Sequence, residues 1–224
     1  MIKVMIADDQ ELIRESLKIV LGSRSDIQIV ATAKDGLEVL DYMRLNPADV
    51  ILMDIRMPNM DGVLATKEVK EIYPDTKIIV LTTFDDDEYV FSALKNGACG
   101  YLLKGISMDK LYDSIVEVYD GGAMINPDIA MKILQRFSNE GTNSSITVSN
   151  QASASLSTKE KMVAQQIGFG LSNKEIADKL HFSSGTVRNY ISIILNKLEL
   201  RDRTQVAIWA VQTNLINEDF SSET

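Results

Sequence analysis

Short apolar runs alternate with longer amphipathic segments over the first 120 residues. The runs have the length and β-branched content of strands, and three of them lack polar alternation, as strands buried on both faces do. They lie at Lys3–Ala7, Ile27–Ala33, Val50–Met53, Lys77–Thr82 and Cys99–Leu102. Between the runs, apolar residues recur at helical spacing, as in Ile13, Leu17 and Leu21. The pattern predicts an α/β unit at residues 1–120, with five parallel strands in a doubly wound sheet.

A change of composition follows this unit. Asn126-Pro127 combines a good helix cap with a good first helical residue, and predicts a short helix over residues 127–137. Ser138–Ser155 is rich in Ser, Asn, Gly and Thr and offers little to bury. Residues 121–155 are therefore predicted to form a linker that contains one short helix.

The pattern is helical from residue 156 to residue 216, and it contains no strand signal of weight. Glu160 follows Ser157 at the spacing of a capping box, and this spacing marks the start of a helix. A tight turn at His181–Gly185 leads into a predicted helix at Thr186–Leu198. Two short helices joined by a tight turn form a helix-turn-helix. We therefore predict a separate all-α domain at 156–216, followed by an acidic tail at 217–224.

Composition restricts the class of protein. A length of 224 residues favours two domains, and 45% hydrophobic with 25% charged residues is typical of globular chains with a core. Cys99 is the only cysteine, which excludes an intrachain disulfide and a Cys-based zinc cluster. The sequence contains no apolar run of the length that a signal peptide or a membrane span needs. We expect a soluble, cytoplasmic protein without membrane contact.

Acidic side chains follow two of the predicted strands. Asp8 and Asp9 come directly after the first strand, and Asp54 directly after the third. In a parallel sheet these strand ends meet, so three carboxylates gather as a hard-cation site suited to Mg²⁺. Thr82 and Lys104 add a hydroxyl and an ammonium at the same edge, which completes the groups needed to accept a phosphoryl group. Each acid alone would more often be a helix cap or a surface residue; the set as a whole indicates the site.

These residues resemble the receiver domain of two-component response regulators over about residues 1–120. The resemblance rests on Asp8-Asp9, Met53–Pro58, Asp61-Gly62, Thr82, and Tyr101 three positions before Lys104. It implies a (βα)5 flavodoxin-like fold with Asp54 as the phosphoacceptor, although strand-end chemistry alone does not choose Asp54 over Asp9. It further implies Mg²⁺ ligation by Asp8, Asp9, Asp54 and the Arg56 backbone carbonyl, with phosphate contacts from Thr82 and Lys104.

The same resemblance implies a switch. Thr82 moves toward the phosphate in this family and an aromatic at the Tyr101 position turns in behind it; the alternative is that Tyr101 is only a core aromatic.

Gly105 stands where many receivers have a cis-proline, so we expect a trans bond and a differently shaped loop. Arg56 and Phe84 occupy positions at which the family tunes phosphate lifetime. We hypothesise that Phe84 shields the acyl phosphate from water.

The second domain resembles the four-helix DNA-binding domain of the NarL/FixJ (LuxR-type) regulators. The matching segments are Leu156–Glu160, Gly170–Ala177, Thr186–Tyr190, Lys197-Leu198 and Leu200–Gln205. A helix that starts near Thr186 can point its first amides at a phosphate, while Arg188, Asn189 and Ser192 enter a major groove. Basic residues suited to phosphates are Lys174, Lys197, Arg201 and Arg203. For a single lysine, a solvated surface charge is the alternative, and Tyr190 departs from the family's common histidine.

The last predicted helix is more apolar than a lone surface helix. In this family it dimerises the DNA-bound domains, which implies dimer contacts from Val206, Trp209 and Ala210. Packing of Trp209 in the core of its own domain is the alternative.

The net charge of −9 argues at first against nucleic-acid binding, because it repels phosphate backbones. The charge is unevenly spread, however: residues 1–122 carry −9, residues 156–216 carry +3, and the tail carries −3. We hypothesise that the acidic first domain weakens DNA binding until dimerisation offsets it.

Together these features predict a transcription regulator that a sensor histidine kinase phosphorylates, and that then forms a homodimer on double-stranded promoter DNA. It is not expected to be an enzyme beyond Mg²⁺-dependent self-phosphorylation and dephosphorylation of its own aspartate. A haloacid-dehalogenase-like phosphohydrolase is an alternative, but it needs a second Asp two residues after the first, where this chain has Gln10. A receiver that acts only through protein partners is the other alternative.

Overall fold

The computed structural model describes residues 1–83, 87–122, 148, 154–200 and 202–218, with two compact units, Met1–Asp120 and Gly121–Thr224. The helix predicted at 127–137, most of the predicted linker, Phe84, Arg201 and the tail from residue 219 lie outside the described residues.

The first unit is a parallel sheet of five strands in the order β2-β1-β3-β4-β5. The strands are β1 Ile2–Ala7, β2 Ile27–Ala33, β3 Val50–Met53, β4 Lys77–Thr82 and β5 Gly100–Leu103. The helices are α1 Glu11–Gly22, α2 Gly36–Leu45, α3 Gly62–Ile72, α4 Asp87–Lys95 and α5 Met108–Tyr119. Contacts of α1 with α5, and of α3 with α2 and α4, divide these helices between the two faces of the sheet. The predicted (βα)5 fold is confirmed, and strand boundaries differ from the prediction by one residue at most.

Burial explains why the strands read as continuous apolar runs. All four side chains of β3 are buried, because helices cover both faces of the sheet. Ala7 at the end of β1 pairs with Met53 at the end of β3, and Thr82 at the end of β4 pairs with Leu103. The residues that follow these positions therefore leave the sheet at one edge, side by side.

The second unit is helical throughout its described part. Its helices are α6 Thr158–Gly168, α7 Asn173–Leu180, α8 Ser184–Leu198 and α9 Arg203–Gln212, followed by a 3-10 turn at Leu215–Asn217. The predicted capping box is formed at Ser157 with Glu160, and a second one is formed at Ser172 with Glu175. His181 ends α7 with a left-handed φ of 56°, so it is a turn residue, as expected. Among the described helices of both units, none has the length and apolar character to cross a membrane.

Candidate functional site

Three carboxylates meet where β1 and β3 end. The acidic cluster consists of Asp8, Asp9 and Asp54, and one carboxylate oxygen of each lies within 4.8 Å of the others. Asp8 is 2% exposed and Asp54 is 5% exposed, whereas Asp9 faces solvent. The backbone sets this arrangement, because the Asp54 amide donates to the Ala7 carbonyl at 2.8 Å and so joins the two strand ends.

Lys104 binds both buried members of the acidic cluster. Its Nζ lies 2.6 Å from Asp8 Oδ2 and 2.8 Å from Asp54 Oδ2. The other oxygen of each carboxylate accepts a backbone amide, from Gln10 to Asp8 Oδ1 at 2.9 Å and from Ile55 to Asp54 Oδ1 at 2.8 Å. Each buried carboxylate is therefore held at both oxygens, which fixes its orientation.

Burial and pairing set the charge state of this site. Burial raises the pKa of Asp54, and the hydrogen bond and charge of Lys104 only partly oppose that effect. Burial also disfavours the charged form of Lys104, but its hydrogen bonds to Asp54 and Asp8 outweigh burial and raise its pKa. The ammonium therefore stays charged at neutral pH, next to a carboxylate whose ionisation is costly.

The donor set fits a hard divalent cation. Lys104 brings one positive charge to three clustered carboxylates, which leaves an excess of negative charge when all three are ionised. A pocket beside the cluster is lined by Asp9, Ile55, Arg56, Met57, Pro58, Asp61 and Tyr89. Oxygen ligands from Asp9 and from the loop that follows Asp54 are therefore accessible at the cluster.

Thr82 and Tyr101 lie in the two neighbouring strands β4 and β5, inside the protein. Both are buried, and the Lys104 amide donates to the Thr82 carbonyl at 2.6 Å, which joins the ends of β4 and β5. A buried Tyr101 agrees with core packing, and it also agrees with the inward position that the switch requires. Gly105 has a φ of 107°, which proline cannot adopt, and none of the described peptide bonds is cis. The loop after Lys104 therefore differs from the cis-proline form, as expected.

Helix α8, whose side chains Arg188, Asn189 and Ser192 are expected to enter a major groove, presents a polar face to solvent. Arg188, Asn189 and Ser192 are exposed along α8, while Val187 and Ile191 are buried on its other side. Ser183 caps this helix by accepting the Thr186 amide at 3.0 Å. These three side chains therefore face solvent, and their entry into a major groove stays a prediction.

Two lysines that are expected to contact phosphate, Lys174 and Lys197, lie in different surroundings. Lys174 is exposed, as a phosphate contact requires. Lys197 Nζ is engaged within the unit, 2.7 Å from Glu160 Oε2 and 3.0 Å from the Ser155 carbonyl.

One residue expected to contact phosphate is buried in this structure. Arg203 is 5% exposed, and its guanidinium donates to Asn173 Oδ1 and to the Leu171 carbonyl. This arginine joins the start of α9 to the start of α7 and does not reach the surface. A basic residue in a DNA-binding motif does not reveal, by its identity, whether its charge is satisfied inside the domain.

The residues expected at the dimer contact are also placed in the core. Val206, Trp209 and Ala210 have exposures of 0%, 3% and 0%, so these side chains are covered within the second unit. Helix α9 packs against α6, and that packing accounts for its apolar character. This burial favours core packing of Trp209, the alternative reading, and dimer contacts from these side chains stay a prediction.

Sequence reasoning missed Asp35, a buried carboxylate that caps α2 and contacts the loop after Asp54. The available signal was Glu38 three positions after Asp35, which is a helix-start spacing. That signal indicates a cap, but it carries no information about the contact with the loop.

Comparison with known proteins supplies family models for both units. Residues 4–116 match the response regulator receiver domain, and residues 154–210 match the bacterial regulatory proteins of the luxR family. The chain is 39% identical to the transcriptional regulatory protein LnrK of Bacillus subtilis (strain 168), over 95% of this chain and 97% of that protein. It is 35% identical to the transcriptional regulatory protein DegU of Brevibacillus brevis, over 96% and 95%.

A solved structure agrees with these matches. The response regulator ChrA of a heme-sensing two-component system is 32% identical, with a TM-score of 0.51, over 96% of this chain and 98% of that chain.

Proposed function

This chain belongs to the response regulator transcription factors that join a receiver domain to a LuxR-type DNA-binding domain, and we propose that phosphorylation of Asp54 controls its binding to promoter DNA. A sensor histidine kinase is the proposed phosphate source, and a homodimer is the proposed DNA-bound form. The observation that carries the proposal is the acidic cluster, in which Lys104 bridges Asp8 and Asp54 at the strand ends.

The acidic cluster suits phosphoryl acceptance at Asp54. Asp8, Asp9, Asp54 and the Arg56 backbone carbonyl would hold Mg²⁺, which when bound neutralises charge on the phosphoryl oxygens. Asp54 would supply the nucleophilic oxygen, and Lys104 and Thr82, at the ends of β5 and β4, would contact the phosphate that results. A new phosphate would compete with Asp54 and Asp8 for the Lys104 ammonium, so phosphorylation changes contacts at the end of β5.

The proposed chemistry is confined to the chain's own aspartate. The family consists of transcription factors and not of catalytic enzymes, so no turnover of external phosphomonoesters is expected. We propose Mg²⁺-dependent self-phosphorylation from a small phosphodonor and hydrolysis of the resulting acyl phosphate. Phe84 remains the proposed shield of that phosphate.

DNA recognition is proposed for the exposed face of α8. Arg188 suits guanine and Asn189 suits adenine, with Ser192 on the same face and Thr186 at the phosphate-facing helix start. Lys174 is the proposed phosphate contact on α7, and Arg201 keeps its proposed phosphate role. Lys197 can serve DNA only if it releases Glu160, because its ammonium is engaged there.

The test compares Asp54→Asn with the wild-type chain and with Asp75→Asn, which removes an exposed carboxylate between α3 and β4. Each protein is treated with Mg²⁺ and acetyl phosphate. Its dimerisation is then measured by sedimentation, and its binding to promoter fragments by gel shift. The wild type and Asp75→Asn should dimerise and bind more tightly after treatment, and Asp54→Asn should not respond. An Asp54→Asn chain that responds like the wild type would overturn the proposal.

A further inference from the structure

The loop between β3 and α3 carries the backbone carbonyl of Arg56. Hydrogen bonds hold both ends of this loop, since the Gly62 amide donates to the Ile55 carbonyl at 2.8 Å and the Asp61 carboxylate accepts the Leu64 amide at 2.8 Å. Its middle residue, Asn59, is exposed and has a left-handed φ of 59°. Within the loop, the Met60 amide donates to the Pro58 carbonyl at 2.6 Å, and contacts from outside the loop restrict Asn59 further.

Asp35 at the start of α2 provides one such contact. Its Oδ1 accepts the Glu38 amide at 2.9 Å and so caps the helix, while its Oδ2 accepts Asn59 Nδ2 at 2.7 Å. The Asp35 residue is only 3% exposed although Asn59 lies at the surface. One buried carboxylate thus binds its own helix with one oxygen and the loop with the other.

The neighbouring residues form a second contact between the same two segments. The Gly36 amide donates to the Met60 carbonyl at 3.0 Å. A Cβ at Gly36 would lie 2.6 Å from Met60 Cγ and 2.9 Å from the Met60 oxygen, which leaves no room for a side chain. Consecutive residues at the start of α2 therefore bind consecutive residues of the loop.

The charge of Asp35 strengthens this contact. The hydrogen bond from the Glu38 amide and the one from the Asn59 side chain lower the pKa of Asp35. The carboxylate is therefore ionised at neutral pH, and both bonds are charge-assisted.

We propose that Asp35 is a positioning residue of the Mg²⁺ site: through Asn59 it fixes the loop that carries the Arg56 carbonyl. The inference rests on the proposed function, in which the acidic cluster and this carbonyl bind Mg²⁺. Asp35 does not touch the ion. It removes conformational freedom from one ligand before binding, and residues that orient metal ligands in this way often change affinity by on the order of tenfold or more.

Two variants separate the loop contact from other effects. Asp35→Ser keeps a good helix cap but lacks the second carboxylate oxygen that binds Asn59. Asn59→Gly removes the same bond from the other side, keeps a left-handed backbone accessible, and leaves the charge of Asp35 in place. Weaker Mg²⁺ binding by Asn59→Gly therefore cannot come from a lost long-range attraction.

The control is Thr76→Val. Thr76 is buried just before β4, and its hydroxyl donates to the Ala48 carbonyl at 3.0 Å, at the other edge of the sheet. This variant should lower thermal stability without moving a metal ligand. It therefore reports what a merely structural loss does to Mg²⁺ affinity.

The experiment measures the Mg²⁺ dissociation constant of the full-length, unphosphorylated chain by isothermal titration calorimetry. Hydrogen exchange of residues 55–61 is measured in parallel on the metal-free proteins. Asp35→Ser and Asn59→Gly should each weaken Mg²⁺ binding on the order of tenfold. Their double variant should be no weaker than the weaker of the two single variants, because both remove the same hydrogen bond. Both should also speed exchange in the loop, whereas Thr76→Val should change neither quantity.

The outcomes separate the two proposals. If the wild type binds Mg²⁺ and both loop variants bind it equally well, the positioning role is overturned and the metal site stands. If Thr76→Val weakens binding as much as the loop variants do, the effect is one of general stability and the positioning role is again overturned. A wild type that does not bind Mg²⁺ would overturn the metal site, and this inference with it.

Discussion

Lys104 Nζ lies 2.8 Å from Asp54 Oδ2, although 50 positions separate the two residues in the chain. The same ammonium lies 2.6 Å from Asp8, so one cation joins the ends of β1, β3 and β5. The proposed phosphoacceptor is therefore already paired with the group that would contact its phosphate. Phosphorylation would change the partner of Lys104 and would not need to bring a distant group to the site.

Removing the Lys104 ammonium should destabilise the receiver domain. Lys104→Met keeps the length of the side chain but leaves two buried carboxylates without their shared partner, at a cost of about 3 kcal/mol in metal-free buffer. Mg²⁺ should restore part of this loss, because it supplies compensating charge. Urea unfolding followed by circular dichroism, with and without Mg²⁺, measures both effects.

The matched control is Lys67→Met, which removes an exposed lysine 3.9 Å from Glu71. It should change the free energy of unfolding by less than about 0.5 kcal/mol, as expected for a surface pair. Equal losses in the two variants would contradict a special role for the buried pair.

Acid should destabilise the DNA-binding domain through Glu160. Burial disfavours its ionised form, but hydrogen bonds from Lys197 and Ser157 outweigh burial and lower its pKa. Because the pKa of Glu160 is lower in the folded chain than the ordinary value of 4.5, ionised Glu160 stabilises the folded domain above that pH. This stabilisation is lost as the pH falls through the folded-state pKa. Glu160→Gln should remove this part of the acid dependence and cost about 1 kcal/mol at pH 7.

Fluorescence of Trp209 is the measurement for Glu160→Gln. It is the only tryptophan, and it is buried in the DNA-binding domain, so it reports the unfolding of that domain within the full-length chain. Unfolding curves from pH 3 to pH 7 that have the same pH dependence in both proteins would contradict the assignment.

Shortening a buried side chain of α9 should lower the stability of the DNA-binding domain and leave dimerisation less affected. Val206→Ala removes two methyl groups from a fully buried position and should cost about 2 kcal/mol of unfolding free energy. Val211→Ala makes the same chemical change on the same helix at a partly exposed position, and should cost less. Denaturation followed by Trp209 fluorescence gives the stabilities, and sedimentation of the phosphorylated chains gives the dimer constants. A loss of dimerisation at unchanged stability in Val206→Ala would instead support a dimer contact at this position.

Two basic residues of the DNA-binding domain should behave differently in DNA titrations. Lys174→Ala should weaken binding to all sequences and reduce the slope of log K against log salt by about one, because it removes one phosphate contact. Arg203→Gln should instead lower the stability of the domain, since the buried guanidinium bonds to Asn173 and Leu171. Its salt slope, measured where the domain is folded, should equal that of the wild type.

The uneven charge predicts an effect of the receiver on DNA binding. A chain that starts near Ser155 lacks the residues that carry the charge of −9, and it should bind nonspecific DNA more tightly than the unphosphorylated full-length chain. The difference in affinity should shrink as salt rises from 50 to 200 mM, because dissolved ions screen the repulsion between the receiver and the DNA. Fluorescence anisotropy with a random duplex measures it, and equal affinities at low salt would contradict the charge hypothesis.

Local patterns were sufficient for the elements and for the acidic cluster. Val50–Met53 reads as a buried strand because every residue is apolar, and Asp54 must then lie at the carboxyl edge of a parallel sheet. Ser157 and Glu160 mark a helix start because both partners of a capping box lie within one turn. In these cases the cause of the structure lies within a few neighbouring residues.

Other features depended on which surfaces meet, and spacing along the chain does not contain that information. Periodicity identified an apolar side of α9, but it could not say whether a second copy or α6 covers Val206 and Trp209. The residue type of Arg203 suggested DNA, whereas its burial beside Asn173 assigned it to the interior.

The sequence by itself determined the two domain types, the strand-end carboxylates and the helix caps, because these follow from local periodicity and residue chemistry. Only the tertiary structure decided that Lys104 bridges Asp8 and Asp54 and that Asp35 holds Asn59. These contacts join residues 24 to 96 positions apart. They depend on how closely the folded segments approach one another, and hydrogen bonds form only when donor and acceptor come within about 3 Å.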